Sequence, residues 1–93
     1  MPEKLIKTHA IQYMPKHKIH IGSLIQSKLK EDGRSAAWLA QKIGCERGNM
    51  YKIFDKSSID TEQLLSISLA IGENFFDYYA DTYQNSIKKE KET

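Results

Sequence analysis

Apolar residues recur every three or four positions in two short segments that meet at Gly44. This spacing predicts two helices, over Ala36–Ile43 and about Arg47–Phe54, each with one apolar face. The two faces consist of Ala36, Leu39, Ala40 and Ile43, then Met50, Ile53 and Phe54. Gly44 can adopt the left-handed backbone that ends a helix. Helices this short are unstable alone, so each must bury its apolar face against the other and against a third element. The pattern therefore predicts a helix-turn-helix over Ala36–Asp55.

A further helix is predicted before this pair, over about Ile21–Asp32. Its apolar face consists of Ile21, Leu24, Ile25 and Leu29, which follow the helical period. Gly33 ends it. Ser35 is then expected to cap the helix that follows, because its hydroxyl can accept a hydrogen bond from a free backbone amide.

Another helix is predicted after a turn at residues 56–58. Asp60, followed three residues later by Gln63, forms the pattern of a capping box. Gly72 is expected to end this helix near Ile71. Its residues are apolar almost all round, namely Leu64, Leu65, Ile67, Ser68, Leu69 and Ile71. We therefore expect it to lie at the centre of the core.

The last predicted helix starts near Asn74 or Phe75 and reaches about Gln84. One face must close the core, and Phe76 with Tyr79 or Tyr83 is favoured for that role. The helix carries more aromatic residues than one small core can hold. A group of exposed aromatics is typical of a self-association surface, predicted here to be a dimer interface of Phe75, Tyr78, Tyr79 and Tyr83. The alternative is a domain edge with half-buried tyrosines.

The central segment resembles a known family through the run WLAQKIGCERGNMYKIF. This run is similar to the helix-turn-helix of the XRE family of phage repressor and Cro-like regulators. The matching positions are Ala40, Gly44, Leu39, Ile43, Cys45, Met50 and Ile53. Two residues depart from the family pattern: Glu46 stands where a capping Ser or Thr is usual, and Gly48 lies in the first turn of the second helix. A looser resemblance covers about residues 19–83, and it implies a compact, all-α, five-helix lambda-repressor-like domain.

The resemblance also implies that the second helix of the pair enters the major groove of DNA. The family's base-contacting positions fall on Arg47, Gly48 and Lys52 of this sequence. Arginine can bond the two acceptors of guanine, and asparagine can bond adenine in the same way, so the predicted base contacts are Arg47, Asn49 and Lys52. The predicted contacts with the DNA backbone are Ser35, Ala36, Tyr51 and Lys56. For each of these residues the alternative is a solvated helix face.

Charge is distributed unevenly along the chain, although the net charge is only +2. Residues 16–56 contain nine basic and four acidic side chains, whereas residues 57–87 contain five acidic and no basic ones. The basic half is also the half that carries the helix-turn-helix. A domain of this kind has one surface suited to phosphates and another that phosphates avoid.

The ends of the chain are expected to lie outside the domain. Residues 1–18 are predicted to be a flexible arm, residues 19–84 the domain, with its helix-turn-helix core at 36–55, and residues 85–93 a charged tail. Lys16, His17, Lys18 and His20 form a basic cluster just before the first helix. This cluster is consistent with an arm that touches DNA, or with a solvated leader.

Composition narrows the function further. A length of 93 residues is enough for one domain, and no apolar run approaches the length of a membrane span. The single cysteine fits a reducing, cytoplasmic setting. No pairing of nucleophile and base, phosphate-binding loop or metal-ligand spacing is evident, so neither an enzyme nor a cofactor or metal site is expected.

Two functions are compatible with these patterns. The favoured hypothesis is a repressor-like transcriptional regulator that binds double-stranded DNA as a homodimer. The alternative is a protein-interaction module or an antitoxin-like protein, in which the acidic, aromatic half of the chain binds a partner protein.

Overall fold

Five α-helices form along residues 19–92, the part of the chain described by a computed structural model, in which side chains are described as far as residue 88. In chain order they are α1 (Ile21–Glu31), α2 (Ala36–Ile43), α3 (Arg47–Phe54), α4 (Thr61–Ile71) and α5 (Phe76–Glu92). The predicted helices α1 to α4 are confirmed, and so is the all-α, five-helix architecture. The predicted arm, including Lys16, His17 and Lys18, lies outside the described residues.

The core is built from the apolar faces of α1 to α4 together with Phe75, which lies just before α5. Helix α2 packs against α3 and α4, and α1 packs against α3. Six large side chains have essentially no exposed surface: Phe75, Ile21, Ile25, Leu39, Met50 and Ile67. Fully burying one such side chain contributes about 1.5–3 kcal/mol, and this burial holds helices that are too short to form alone.

The turn between α2 and α3 depends on Gly44. Its φ of 77° lies in the left-handed region, which residues with a side chain adopt only at a cost. The amides of Gly44 and Cys45 both donate to the carbonyl of Ala40, the second over 2.9 Å. The chain therefore leaves α2 and enters α3 within a few residues, as the glycine position predicts.

The start of α1 is joined to the end of α3 through main-chain atoms. The amides of Ile21 and Gly22 donate to the carbonyls of Ser57 and Lys56, over 3.0 and 2.9 Å. The first amides of a helix have no partner within it, so the carbonyls that follow α3 satisfy them. A Cβ atom at Gly22 would lie 2.3 Å from the carbonyl oxygen of Phe54. Only glycine allows this approach.

Helix α4 is buried on one side only, which corrects the expectation of a helix surrounded by the core. Leu64, Ile67 and Ser68 are buried, but Leu65 is 49% exposed and Leu69 is 74% exposed. These two leucines lie one turn apart on the flank of α4 that no described element covers. The apolar composition of α4 therefore overstates how much of its surface is buried.

Helix α5 is longer than predicted and is anchored near its start. The predicted end near Gln84 is wrong, because the helix continues to Glu92. Residues 85–92 contain no glycine or proline and are rich in Lys and Glu, which favour helix. Within residues 19–92, no helix combines the length and apolar composition needed to cross a bilayer.

The aromatic residues that close the core match the prediction in part: Phe76 packs against the core as expected, whereas Phe75 takes the place expected for Tyr79 or Tyr83. Phe75 has no exposed surface, whereas Tyr79 is 36% and Tyr83 is 61% exposed. The Phe75 amide lies 3.4 Å from the Ser68 hydroxyl oxygen, to which it donates, and its ring stacks on Tyr78 with centroids 6.1 Å apart. The prediction of Phe75 as part of an exposed aromatic surface is therefore wrong, because this residue fills the space that Tyr79 or Tyr83 was expected to fill.

Candidate nucleic-acid interface

Helix α3 has an apolar side that anchors it and a polar side that faces solvent. Met50, Ile53 and Phe54 are at most 6% exposed, and they fix the helix on the core. Arg47 and Lys52 are both exposed. Because the buried residues recur at helical spacing, the cationic side chains lie on the part of α3 directed away from the core.

The three predicted base-contacting residues lie together on this helix. Asn49 is exposed, as are Arg47 and Lys52, and the three positions lie within two helical turns. Gly48, between Arg47 and Asn49, has no atom within 4 Å of a Cβ placed on it. The first turn of α3 is therefore open to solvent at Gly48, and another molecule can approach its backbone closely there.

The charges on this surface are not neutralised by other described residues. Among residues 19–88, whose side chains the structure describes, the ion pairs all involve Lys28, which contacts Glu31, Asp32 and Glu73 at 3.5, 3.7 and 3.6 Å. No carboxylate of the described part of the chain pairs with Arg47 or with other basic residues of α3. Within residues 19–88, no carboxylate competes with an external anion for these charges.

The predicted backbone-contacting residues lie at two places around α3. Ser35 begins α2, where its hydroxyl accepts a hydrogen bond of 3.0 Å from the amide of Trp38, and Ala36 follows at the first helical position. Tyr51 is 51% exposed, and its ring packs edge-on against Phe54 with centroids 5.8 Å apart. This contact holds the tyrosine ring beside the cationic side of α3.

Lys56 lies directly after α3, with its main chain fixed by the bond from Gly22 and its side chain exposed. Its position relative to α3 therefore follows from the junction with α1. Glu46, which precedes α3, makes no side-chain hydrogen bond to the start of that helix. The first amides of α3 thus lack the side-chain cap that α2 and α4 have.

A cluster of side chains around Trp38 was not predicted to act together: Trp38 and Lys42 lie on α2, and Arg34 lies two residues before that helix. Trp38 is half-buried, the guanidinium carbon of Arg34 lies 4.3 Å from its ring centroid, and the Lys42 ammonium lies 5.7 Å from it. Trp38 and Lys42 are spaced four apart on α2, a sequence signal for neighbours on one helix face, whereas Arg34 precedes the helix and its contact with Trp38 has no such signal. Two cations are thereby held beside one aromatic ring on the helix that precedes α3.

A second cluster joins α1 to the turn before α5. Lys28 bridges the carboxylates of its own helix and Glu73, while the Tyr78 hydroxyl donates to Glu73 over 3.5 Å. The charge of Asp32 is the largest factor that raises the pKa of Lys28. Burial, followed by the charge of Glu73, raises the pKa of Tyr78. This cluster joins α1 to the turn before α5 and to the first turn of α5.

The remaining predicted dimer residues lie along α5. Tyr79 and Tyr83 are exposed, whereas Tyr78 is half-buried and engaged with Glu73. With the half-buried Ile87, the two exposed tyrosines follow the helical period and form one apolar stripe, here called the α5 stripe. Phe76 lies on the same line of the helix but packs against the core. It is the surface of α5 best suited to contact another molecule.

Comparison with models of protein families, with curated proteins and with solved structures found no match for the chain. The architecture of five helices is compatible with many functions. A function for this protein therefore has to be argued from the exposed side of α3 and the surfaces around it.

Proposed function

We propose that this protein binds double-stranded DNA in a sequence-dependent manner and acts as a repressor-like regulator of transcription. The observation that carries the proposal is the division of α3 into a buried apolar side and an exposed cationic side without a described counter-ion. The major groove of B-DNA is about 12 Å wide and admits one α-helix. Helix α3 would enter that groove with its cationic side toward the bases.

Three side chains of α3 are proposed to select the bases. Arg47 offers a planar pair of donors to the N7 and O6 atoms of guanine, and Asn49 can donate to and accept from adenine. Lys52 lies further along the helix and can donate to guanine acceptors. Each well-formed bidentate contact discriminates against a wrong base by about 1–3 kcal/mol.

Other residues are proposed to fix the position of α3 on the duplex. The amides near Ser35 and Ala36 at the start of α2, the hydroxyl of Tyr51 and the ammonium of Lys56 can bind phosphate oxygens. Such contacts set register and orientation but carry no sequence information themselves. The main-chain junction that fixes Lys56 supports its role as a positioning contact.

The protein is further proposed to act as a homodimer through the α5 stripe. Helix-turn-helix proteins commonly bind two half-sites about 34 Å apart as symmetric dimers. The start of α5 carries Asp77 and Asp81, and its last five residues are three lysines and two glutamates, with a net charge of +1. An antiparallel pairing of two α5 helices would place the acidic part of each beside the basic part of the other, in agreement with a symmetric contact between copies.

Binding of mutated DNA sites tests the roles of the α3 residues. A preferred site is first selected from random oligonucleotides, and each base of that site is then changed in turn. We expect Arg47→Ala to relax the preference at one base position. Lys56→Ala is expected to weaken binding equally for all sites and to lower the salt dependence by about one phosphate contact. An unchanged base preference after removal of Arg47 would reject its role in base selection.

Sedimentation velocity tests the dimer. Tyr83→Glu places a charge on the α5 stripe and is expected to shift the chain to monomer, whereas Asn85→Glu, an exposed control on the same helix, leaves association unchanged. Equal sedimentation of the two variants and the unmodified chain would remove the α5 stripe as the dimer surface.

A protein-interaction module or antitoxin-like protein is the second candidate, favoured by the exposed Leu69 and Tyr83 in the acidic half of the chain. Titration with random duplex DNA at several salt concentrations separates the two functions. A DNA-binding protein loses affinity steeply as salt rises, because bound counterions are released. A module that binds only protein shows no such affinity, whereas an antitoxin-like protein retains it and also binds its partner.

A further inference from the structure

Two leucines of α4 form an apolar face that no described element covers. Leu65 is 49% exposed and Leu69 is 74% exposed, and a separation of four residues places them on one side of the helix. The other large aliphatic side chains within residues 19–88 are buried or half-buried. Because apolar surface is stabilised by removal from water, this pair is a candidate contact surface.

The surroundings of the two leucines are acidic. Glu62 lies three residues before Leu65 on the same helix, its side chain is exposed, and α4 contains no Lys or Arg. No cation within residues 19–88 forms an ion pair with Glu62. The surface made by Glu62, Leu65 and Leu69, here called the α4 face, therefore suits an occupant that combines apolar with basic side chains.

Residues 1–18 of the same chain have this composition. They lie outside the described residues, and their sequence contains four lysines, one glutamate and five larger apolar side chains, namely Leu5, Ile6, Ile11, Tyr13 and Met14. The α5 stripe of a second copy matches the α4 face less well, because the start of α5 carries Asp77 and Asp81. Charge complementarity thus favours the segment over a second copy.

The main chain brings this segment to the domain close to the start of α4. The amide of Ile21 donates to the carbonyl of Ser57 over 3.0 Å, and Ile19 packs against the core. Helix α4 begins at Thr61, four residues after Ser57, and therefore starts at most about 14 Å from it. Residues 1–18 join the domain beside the turn that leads into α4.

The segment is long enough to reach both leucines. Along the helix axis, Leu65 and Leu69 lie about 6 and 12 Å beyond the first residue of α4, so both are within about 26 Å of Ser57. Ile11 lies eight residues before Ile19, and eight extended residues span up to about 28 Å. Covalent attachment also raises the effective concentration of the segment at this face above that of any separate molecule.

We propose that residues 1–18 bind the α4 face of the same chain, with apolar side chains between Ile11 and Met14 on the two leucines and lysines near Glu62. This contact does not depend on DNA binding. In the free chain the segment occupies the surface that a protein partner of α4 would need. Any such partner has to displace it.

Nuclear Overhauser effects from isotope-labelled leucine methyl groups test the contact in the unmodified chain. We expect the methyl protons of Leu65 and Leu69 to show effects to side-chain protons of residues 1–18. A mixture of labelled and unlabelled chains, recorded with an isotope filter, detects only contacts between copies and is expected to show none from these methyl groups. Contacts that arise only between copies, or the absence of any effect to residues 1–18, would overturn the proposal.

Trypsin cleavage after Lys16 provides a second measurement. Leu69→Gln removes an apolar contact at an exposed position and is expected to speed this cleavage about fivefold, because the unbound population of the segment rises. Ser66→Gln, at an exposed position of the same helix, is the matched control and is expected to leave the rate unchanged. Equal rates in the two variants, whether raised or not, would overturn the proposal.

Discussion

The pair α2–α3 and the helix α5 are stabilised in different ways. Each helix of the pair has eight residues, and buried side chains such as Leu39 and Met50 hold it on the core. Helix α5 has 17 residues, but most of the side chains described between residues 80 and 88 are exposed. Short helices are marginal alone, whereas a longer helix rich in good helix formers depends less on packing. Length is therefore a poor guide to how firmly a helix is held in this fold.

The comparison also separates two kinds of exposed surface. The exposed side of α3 is cationic and sits on a rigid support, which suits it to a ligand of fixed shape. The exposed α5 stripe is apolar and extends from a helix anchored near one end, which suits it to a contact between proteins. Substitutions can break or sharpen this contrast, and they are ordered here from the largest expected effect to the smallest.

The largest difference in the free energy of unfolding is expected between substitutions of two aromatic residues, one just before α5 and one in the middle of that helix. Phe75→Ala is expected to lower the free energy of unfolding by about 3–5 kcal/mol, because it empties a fully buried site. Tyr83→Ala, at a 61% exposed position, is expected to change it by less than about 0.5 kcal/mol. Urea denaturation at protein concentrations where the chain is monomeric measures both. A comparable loss in the two variants would show that α5 is packed more firmly than described.

Two glycines give the next contrast. Gly22→Ala is expected to destabilise the fold by about 1–3 kcal/mol, because its Cβ would meet the carbonyls that end α3. Gly48→Ala is the matched control, since a Cβ there meets nothing and alanine favours helix by up to about 1 kcal/mol. Thermal unfolding followed by circular dichroism distinguishes the two, and a stable Gly22→Ala variant would contradict the close α1–α3 junction.

Substitutions at helix caps are expected to change the free energy of unfolding by about 1 kcal/mol. Asp60→Ala removes an acceptor 2.7 Å from the amide of Gln63, at an expected cost of about 1 kcal/mol. Glu46→Ser provides the cap that α3 lacks and is expected to stabilise the fold by up to about 1 kcal/mol. Chemical denaturation measures both changes. No gain from Glu46→Ser would indicate that the start of α3 is already satisfied in another way.

The smallest effect concerns alkaline pH. The folded chain holds the pKa of Tyr78 and of Lys28 above their ordinary values of about 10. The folded state therefore binds more protons than the unfolded state in this range, and stability falls with rising pH. We expect stability to be fully retained below about pH 10 and to decline above it.

Tyr78→Phe separates the tyrosine contribution from that of Lys28. The variant lacks the phenolic proton, so its stability should fall less steeply as pH rises above 10 than that of the unmodified chain. Urea denaturation between pH 8 and 11 provides the measurement. Identical pH profiles would show that Tyr78 does not contribute to the decline.

Local signals in the sequence were sufficient to predict the positions of helices α1 to α4. The glycines at 44 and 72 and the capping residues Ser35 and Asp60 act within a few positions of themselves, so their effects can be read without knowing the fold. The apolar stripes of α1 and α3 likewise identified buried residues, including Ile25 and Met50. These are the parts of the fold that depend on short-range physics.

The predictions that were wrong concern which side chains are buried, and they depend on contacts between segments that are distant in sequence. Leu69 looks like a core residue by composition, and only the path of the rest of the chain leaves it exposed. Phe75 is buried because α5 begins where it does, which its own neighbours in sequence do not specify. The contact of Lys28 with Glu73 joins residues far apart in sequence. For the candidate site, the exposure of Arg47 and Lys52 followed from the helical period, whereas the cations held on Trp38 depended on side-chain conformations.

The junction at Gly22 has a consequence for how this fold can diversify. The end of α3 is mounted on α1 by peptide groups and by the absence of a side chain, so the mounting is independent of which residues α3 presents outward. The exposed residues of α3 can be substituted while the main-chain junction with α1 stays unchanged. Substitutions on this outer face can therefore change what α3 contacts without altering the junction that positions the helix.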